Sequence, residues 1–185
     1  NSILEQVIKN TLGSKVDEII IVLGYQAEKI VFMKNKSNSK IALNQDFDQG
    51  ISSSIKKGLT RISKSSDAVM IFLGDQPLIG KEIINRLIKT FYESRQDVIV
   101  PFHKDIRGHP VIFDTKYKAD LLKLDGDVGG KKIIEAYPKD ELKVKVDSES
   151  IVNDINNEND YWLELEKFCL RKKLCFAAVG LRSAS

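Results

Sequence analysis

The chain has 185 residues, of which 42% are hydrophobic and 30% are charged, and its formal net charge is +3. This composition is too apolar for intrinsic disorder, and at this length it predicts one folded domain over residues 1–185. The basic residues are spread along the chain and no apolar run reaches 18 residues, so neither nucleic acid nor a membrane is an expected partner. Cys169 and Cys175 form no CxxC pair, which predicts free thiols, and without a leader segment we expect a cytoplasmic protein.

Helical and strand periods alternate through the first hundred residues. Apolar residues in "SILEQVIKNTL" share one helical face, and these are Ile3, Leu4, Val7, Ile8 and Leu12. "VDEIIIVLGYQ" then predicts a strand buried on both faces, and "QAEKIVFMK" predicts a helix. Further strands are predicted at "KIALN", "DAVMIFL" and "DVIVPF", with helices at "SSSIKKGLTRI" and "KEIINRLIKTFYES". This alternation indicates βαβ units, and therefore an α/β fold with a three-layer, doubly wound, mostly parallel sheet.

The pattern is less regular after Phe102. "HKDIRGHPVIF" predicts a loop leading into a short strand, "TKYKADLLKL" a helix, and "KKIIEAY" another helix after the loop "DGDVGG". "LKVKVD" and "SIVNDI" look like strands with mixed or antiparallel pairing, and "YWLELEKFCLRKKL" predicts a closing helix. No repeat or linker divides the chain into two domains.

Acidic side chains follow two of the predicted strands. Asp75 comes after the strand that ends at Leu73, and Asp154 and Asn156 come after "SIV". Ligands of open α/β sheets bind beyond the carboxyl ends of the strands, and Mg²⁺ needs only one or two carboxylates when phosphate oxygens and water complete its octahedron. The pattern therefore suits a magnesium site, although a turn at Asp75 and a helix cap at Asp154 explain the same residues equally well.

The segment "NQDFDQGISSSIKKGL" has the composition of a helix start that binds an anion. It offers backbone amides around Gly50 and the hydroxyls of Ser52, Ser53 and Ser54. Ordinary helix capping is the alternative.

Two later loops also suit a phosphate. "RGHP" places the guanidinium of Arg107 near the imidazole of His109, which fits phosphate binding or a solvated turn. "GDVGGKK" combines Asp127 and Gly129 with Lys131 and is compatible with a phosphate or substrate loop.

Six stretches in this order resemble the MobA-like NTP transferases, and most closely the molybdopterin cytidylyltransferase branch. They are "VLGYQAEKI", "NQDFDQGISSSIKKGL", "FLGDQPLI", "VPFHKDIRGHPVIF", "LKLDGDVGGKKII" and "NDINNENDYW", and the resemblance covers about residues 2–161. It implies the nucleotide-diphospho-sugar transferase fold, which is glycosyltransferase-A-like. It also implies an Mg²⁺-dependent nucleotidyltransferase of molybdenum cofactor biosynthesis. Such an enzyme joins a nucleoside triphosphate, with CTP favoured and GTP as the alternative, to molybdopterin and releases pyrophosphate.

The resemblance also implies roles for individual residues. Asp75 and Asp154 match catalytic, metal-binding positions, and Asn156 stands where the usual "DIDTPED" motif has a second acid, which weakens the match at that metal ligand. The positions near the nucleotide are Asn44, Gly50, Ser52, Ser53, Ser54 and Gln76. The positions that face the acceptor are Arg107, His109, Asp127, Gly129 and Lys131.

One family feature is missing at its expected place. The family begins with a strand and a loop resembling "LAAGxSxRMGxxK", which holds the triphosphate, whereas the chain begins downstream of it, so we expect a nucleotidyltransferase-like domain that is N-terminally incomplete. The C-terminal "AAVGLRSAS" looks like a displaced copy of that loop, and a chance tail is the alternative. Two other functions remain open: a catalytically incomplete relative that binds molybdopterin, and a sugar-phosphate nucleotidyltransferase.

Overall fold

The computed structural model describes residues 3–24, 27, 39–152 and 175–182, which form one sheet of eight strands flanked by five α-helices. The helices are α1 (Ile3–Leu12), α2 (Ile51–Leu59), α3 (Lys81–Ser94), α4 (Lys118–Leu121) and α5 (Lys131–Ala136). The strands are β1 (Glu18–Leu23), β2 (Ser39–Leu43), β3 (Ala68–Leu73), β4 (Val98–His103), β5 (Ile106–Arg107), β6 (Val111–Asp114), β7 (Glu141–Lys145) and β8 (Cys175–Leu181). The predicted helices "QAEKIVFMK", apart from Ala27, and "YWLELEKFCLRKKL" lie outside these residues. None of the helices in the described part of the chain combines the length and the hydropathy of a membrane span.

Among the described residues the sheet is mixed: five of its eight strands share one direction, but five of its seven strand pairings are antiparallel. Its order is β2-β1-β8-β3-β6-β4, and β4 pairs in addition with β5 and β7. β2 is parallel to β1 and β7 is parallel to β4, while β8 and β6 are each antiparallel to both of their neighbours. Five strands, β1, β2, β3, β4 and β7, therefore point the same way, and the predicted α/β architecture is confirmed.

Both faces of the central strands are buried, because helices cover each side. All six residues of β1 and of β3 are buried, as the unbroken β-branched runs predict. On one face α1 and α3 share a core with β1 and β3, and its members include Leu4, Ile8, Ile19, Ile21, Met70, Phe72, Ile84 and Leu87. On the other face α2, α4 and α5 pack on the sheet through residues that include Ile20, Val22, Ile55, Leu59, Val69, Leu121, Ile133 and Ile134. Leu12, expected on the apolar face of α1, is 39% exposed.

The structure departs from the predicted elements at three places. Residues 149–151 form a 3₁₀ turn and not a strand, because the Ser148 side chain accepts a hydrogen bond from the Ser150 amide and closes a turn. The helix predicted at "TKYKADLLKL" is a 3₁₀ turn over residues 115–117 followed by the single turn of α4. The chain also turns back after β4 through Lys104 and Asp105, both at positive φ, so β5 forms a hairpin within the predicted loop.

The C-terminal strand occupies the centre of the sheet in the opposite direction to its neighbours. Cys175 pairs with Leu23, the last residue of β1, and Phe176 pairs with Leu73, the last residue of β3. The strand ends at the other edge, where the Arg182 amide donates to Asp17 Oδ2 at 2.8 Å. The seven residues of β8 separate these two edges by about 20 Å.

The interpretation of "AAVGLRSAS" as a displaced triphosphate loop is therefore wrong for the residues that the structure describes. A loop that follows an antiparallel strand leaves the sheet at the amino ends of β1 and β3, far from Asp75.

Near Arg182, burial of Glu18 raises the pKa of its carboxyl, but Lys40, the Ser63 amide and Arg182 lower this pKa by more. Arg182 thus contributes to an ion cluster at the edge away from Asp75.

Candidate active site

The carboxyl ends of the five parallel strands form one edge of the sheet, which we name the carboxyl edge. Asn44 follows β2 and Asp75 follows β3 at this edge. His109 also lies here, because β6 is antiparallel and Val111 pairs with Ile71 near the end of β3. The topology thus collects loops that are far apart in sequence at the place where open α/β sheets bind ligands.

Asp75 lies in a loop that α1 holds in place. The side chain of Asn10 donates to the carbonyls of Pro77 at 2.9 Å and Ile79 at 3.0 Å. Oδ1 of Asp75 is buried, and the neighbouring Gln76 is only 3% exposed. A carboxylate at the end of a buried strand is therefore held on a fixed backbone.

Two loops converge on the carbonyl of Ile151. The His109 amide donates to this oxygen at 2.9 Å, and Gln76 Nε2 donates to it at 3.5 Å. The loops "GDQP" and "RGHP" therefore meet the segment that precedes Asp154 in the sequence. Asp154 and Asn156 themselves lie outside the described residues.

A network around Asn44 joins the end of β2 to the first turn of α2. Nδ2 of Asn44 donates to Ser53 Oγ at 2.8 Å and to Ser54 Oγ at 3.1 Å, while Oδ1 accepts from the Asp46 amide at 3.1 Å. Ser53 Oγ in turn donates to the Gly50 carbonyl at 2.8 Å. The fold thus brings together these predicted nucleotide-binding residues, with Asn44 only 4% exposed.

We expect Asn44→Ala to destabilise the protein. The change removes the hydrogen-bond partner of the buried Ser53 hydroxyl and of the Asp46 amide, which costs about 1–3 kcal/mol. Urea unfolding measures the loss. Gln45→Ala, at the exposed next position, is the matched control and should change the free energy of unfolding by less than about 0.5 kcal/mol. Equal stability of the two variants would contradict the structural role of the network.

The start of α2 is already capped by another part of the chain. The Ser52 amide donates to the Gly126 carbonyl at 3.3 Å, and the Ile51 amide lies 3.4 Å from Asp127 Oδ1. Gly50 has φ 93°, and a Cβ there would lie 2.5 Å from the Gly126 carbonyl carbon, so this junction requires glycine. Protein atoms thus accept hydrogen bonds from these two amides, and Asp127 Oδ1 caps the start of α2. Ser52 Oγ, in contrast, is buried and has no hydrogen-bond partner in the described part of the chain.

The predicted cations of the acceptor loops are engaged in ion pairs. Arg107 Nη2 lies 3.4 Å from Glu141 Oε2, and its guanidinium lies 6.0 Å from the centre of the Phe102 ring. Lys143, which sequence patterns did not indicate, lies over the same ring at 5.0 Å. Glu141 belongs to a strand predicted only as an element of the sheet, and no local motif marks it as the partner of Arg107.

Lys131 and Gly129 lie at the start of α5. Nζ of Lys131 is 3.6 Å from Glu135, one helical turn away, and its side chain is 73% exposed. Ile51 of α2 is the nearest group to a Cβ at Gly129, at 4.0 Å. The Lys131 ammonium group therefore remains accessible to solvent. Its exposed ion pair with Glu135 contributes little to stability.

The Asp75 carboxylate suits a hard cation that also binds phosphate oxygens of a substrate. No cluster of three or more His, Cys, Asp or Glu side chains that could hold a metal occurs among residues 3–24, 27, 39–152 and 175–182. Asp75 supplies one carboxylate, and Mg²⁺ binds proteins through one or two carboxylates together with phosphate oxygens and water. The oxygen chemistry of Asp75 therefore fits Mg²⁺, whereas a cluster of cysteine and histidine ligands typical of a structural zinc site does not occur in the described part of the chain.

Solved structures share the fold of this chain. The manganese complex of Rv0371c from Mycobacterium tuberculosis H37Rv superposes with a TM-score of 0.72 at 22% identity, covering 89% of this chain and 85% of that one. The 4-diphosphocytidyl-2C-methyl-D-erythritol synthase of Anaerococcus prevotii superposes with a TM-score of 0.67 at 17% identity, covering 92% and 87%. The fold is that of the nucleotide-diphospho-sugar transferases, as the resemblance implied.

The chain belongs to the MobA-like NTP transferase family, whose model matches residues 1–142. It is therefore a nucleotidyltransferase by family. It is 24% identical over 169 residues to the molybdenum cofactor cytidylyltransferase of Escherichia coli K12, covering 90% of this chain and 83% of the relative. It is also 23% identical over 143 residues to nicotine blue oxidoreductase of Paenarthrobacter nicotinovorans, covering 74% and 70%.

Proposed function

We propose that this protein transfers a nucleotidyl group from a nucleoside triphosphate, with CTP favoured over GTP, to molybdopterin in molybdenum cofactor biosynthesis. Family membership and the similarity to a molybdenum cofactor cytidylyltransferase support this choice. The observation that carries it is the position of Asp75, a carboxylate held at the carboxyl edge in a loop that meets the loop of His109 at the Ile151 carbonyl.

The reaction asks the protein mainly for positioning and for neutralisation of charge. A phosphate oxygen of the acceptor forms a bond to the α-phosphorus of the triphosphate. The bond from that phosphorus to the bridging oxygen breaks, and pyrophosphate leaves with the electron pair. Mg²⁺, when bound, would neutralise the charge on the phosphate oxygens.

Asp75 would hold the metal in this proposal, together with Asp154 and Asn156 from the segment after Ile151. The support for this grouping is that Ile151, three residues before Asp154, is hydrogen-bonded by Gln76, the neighbour of Asp75. An acidic group on that segment would face the same substrate phosphates as Asp75.

The two substrates would approach Asp75 from opposite ends of the carboxyl edge. The nucleotide would lie on the side of β2 and α2, next to Asn44, Gly50, Ser52, Ser53, Ser54 and Gln76. The buried hydroxyl of Ser52, with no partner among the described residues, supports contact with a polar ligand group. The acceptor would contact Arg107 and His109 on the side of β4 and β6, and it would also contact Gly129 and Lys131 at the start of α5, which adjoins Ile51 of α2.

Titration calorimetry and a turnover assay test the proposal together. In the presence of Mg²⁺ we expect CTP to bind more tightly than GTP or ATP, and we expect pyrophosphate release only when molybdopterin is added. No binding of any nucleotide at millimolar concentration would overturn the proposal. Binding of molybdopterin without turnover would assign a binding protein instead, and transfer to a sugar phosphate would assign a sugar nucleotidyltransferase.

A further inference from the structure

Gly108 of "RGHP" lies in contact with Ile151 at a distance that no other residue type allows. A Cβ at Gly108 would lie 2.5 Å from the Ile151 carbonyl oxygen, 2.7 Å from its Cγ1 and 2.8 Å from its Cβ. The φ of Gly108 is not positive, unlike those of Gly50 and Gly126, so turn geometry does not explain this glycine. Glycine is required at this position because the backbones of Gly108 and Ile151 approach each other closely.

This contact lies inside a set of hydrogen bonds that reaches the loop of Asp75. The Gly108 amide donates to the Pro101 carbonyl of β4 at 2.8 Å. The next amide, of His109, donates to the Ile151 carbonyl at 2.9 Å, and Gln76 Nε2 reaches the same oxygen. Ile151 is completely buried. Gly108 thus lies between β4 and the carbonyl that links "RGHP" to "GDQP".

We propose that Gly108 is a positioning residue for the metal and phosphate site. The missing side chain lets the Ile151 carbonyl accept from both the His109 amide and Gln76, and this fixes the loop of Asp75 against "RGHP". The inference rests on the proposed function, because it takes Asp75 as the metal ligand of that site. Groups that orient metal ligands typically change metal affinity by 10–100-fold when altered, and a displacement of about 1 Å costs about 10²-fold in rate.

Gly108→Ala tests the inference through metal binding and kinetics. We expect the dissociation constant for Mn²⁺, measured by titration calorimetry on the protein with CTP, to rise about tenfold or more. We also expect kcat to fall by a larger factor than the KM for CTP changes.

The matched control is Gly180→Ala at the opposite edge of the sheet. Its Cβ would lie 2.6 Å from Ser66 Oγ, which is a comparable steric conflict away from Asp75. This variant should lower the unfolding temperature and leave Mn²⁺ affinity unchanged. Equal losses of Mn²⁺ affinity in the two variants would overturn the positioning role of Gly108.

Hydrogen exchange gives a readout that does not depend on activity. The His109 amide should be protected in the wild-type protein through its bond to Ile151, and it should exchange faster in Gly108→Ala. Unchanged exchange would overturn the inference. If Gly108→Ala does not fold, Gly108→Ala combined with Ile151→Ala removes the Cγ1 conflict but keeps the carbonyl conflict. This double variant should fold with weakened Mn²⁺ affinity, and wild-type affinity would overturn the inference.

The two proposals fail in distinguishable ways. Wild-type Mn²⁺ affinity and kcat in Gly108→Ala, with both lost in Asp75→Asn, would remove the role of Gly108 and leave the function standing. Absence of nucleotide and Mn²⁺ binding in the wild-type protein would overturn the function, and with it the role assigned to Gly108.

Discussion

Asp75→Asn is expected to reduce metal-dependent nucleotidyl transfer about a thousandfold or more while the protein stays folded. The substitution keeps the shape of the side chain and removes the negative charge that would hold Mg²⁺. Without this charge the transition state loses several kcal/mol of stabilisation. A loss of about 4 kcal/mol corresponds to a thousandfold decrease in rate. Pyrophosphate release measures the effect, and the thermal unfolding midpoint reports on the fold.

Asp147→Asn is the control for the loss of one negative charge near the carboxyl edge. Asp147 follows β7, its side chain is 84% exposed, and it lies 3.6 Å from Lys145. This surface pair contributes little, so activity should stay within about twofold of wild type. Wild-type activity in Asp75→Asn would show that the metal role is assigned to the wrong residue.

Ala178→Pro is expected to prevent cooperative folding or to lower stability by about 3 kcal/mol or more. Ala178 pairs with Ile20 of β1 and with Ile71 of β3, so it lies in the middle of a strand with neighbours on both sides. Proline removes an amide donor from the ladder and is found in sheets essentially at edges and bulges. Circular dichroism during thermal and urea unfolding measures the loss.

Ala178→Gly is the control, because it keeps the amide donor and should cost only about 1 kcal/mol. Stability of Ala178→Pro equal to that of Ala178→Gly would show that β8 does not pair as described. If "AAVGLRSAS" were a chance tail without structure, it would tolerate proline, and the two variants would be equally stable.

Much of the fold was predictable, because burial on both faces leaves a mark in local sequence. The runs at Ile19–Leu23 and Ala68–Leu73 are continuous and apolar, and this pattern is typical of central strands covered by helices. The direction and place of β8 were not predictable. Pairing partners of a strand depend on groups distant in sequence, and a short apolar run is compatible with either direction. Nor did the apolar pattern predict the turn at Glu149–Ile151, because a single Ser148 hydrogen bond decides it.

The candidate site was predictable in part. Residue types and their order indicated the loops after β2, β3 and β4, and parallel strands place such loops at one edge. The contacts among them were not predictable. Asp127 was expected to face the acceptor. Its Oδ1 lies 3.4 Å from the Ile51 amide at the start of α2, and the sequence does not indicate this contact. Arg107 is likewise paired with Glu141, which lies 34 residues away.

The sequence by itself determined the class of fold, the family resemblance and the place of Asp75 at the end of a strand, since each depends on residues that are adjacent or regularly spaced. Only the tertiary structure decided that Gly108 must lack a side chain, because the reason is the carbonyl of Ile151, 43 positions later in the chain. The sequence of "RGHP" suggests a flexible glycine. The packing shows a glycine required by the close approach of two backbones beside the loop of Asp75.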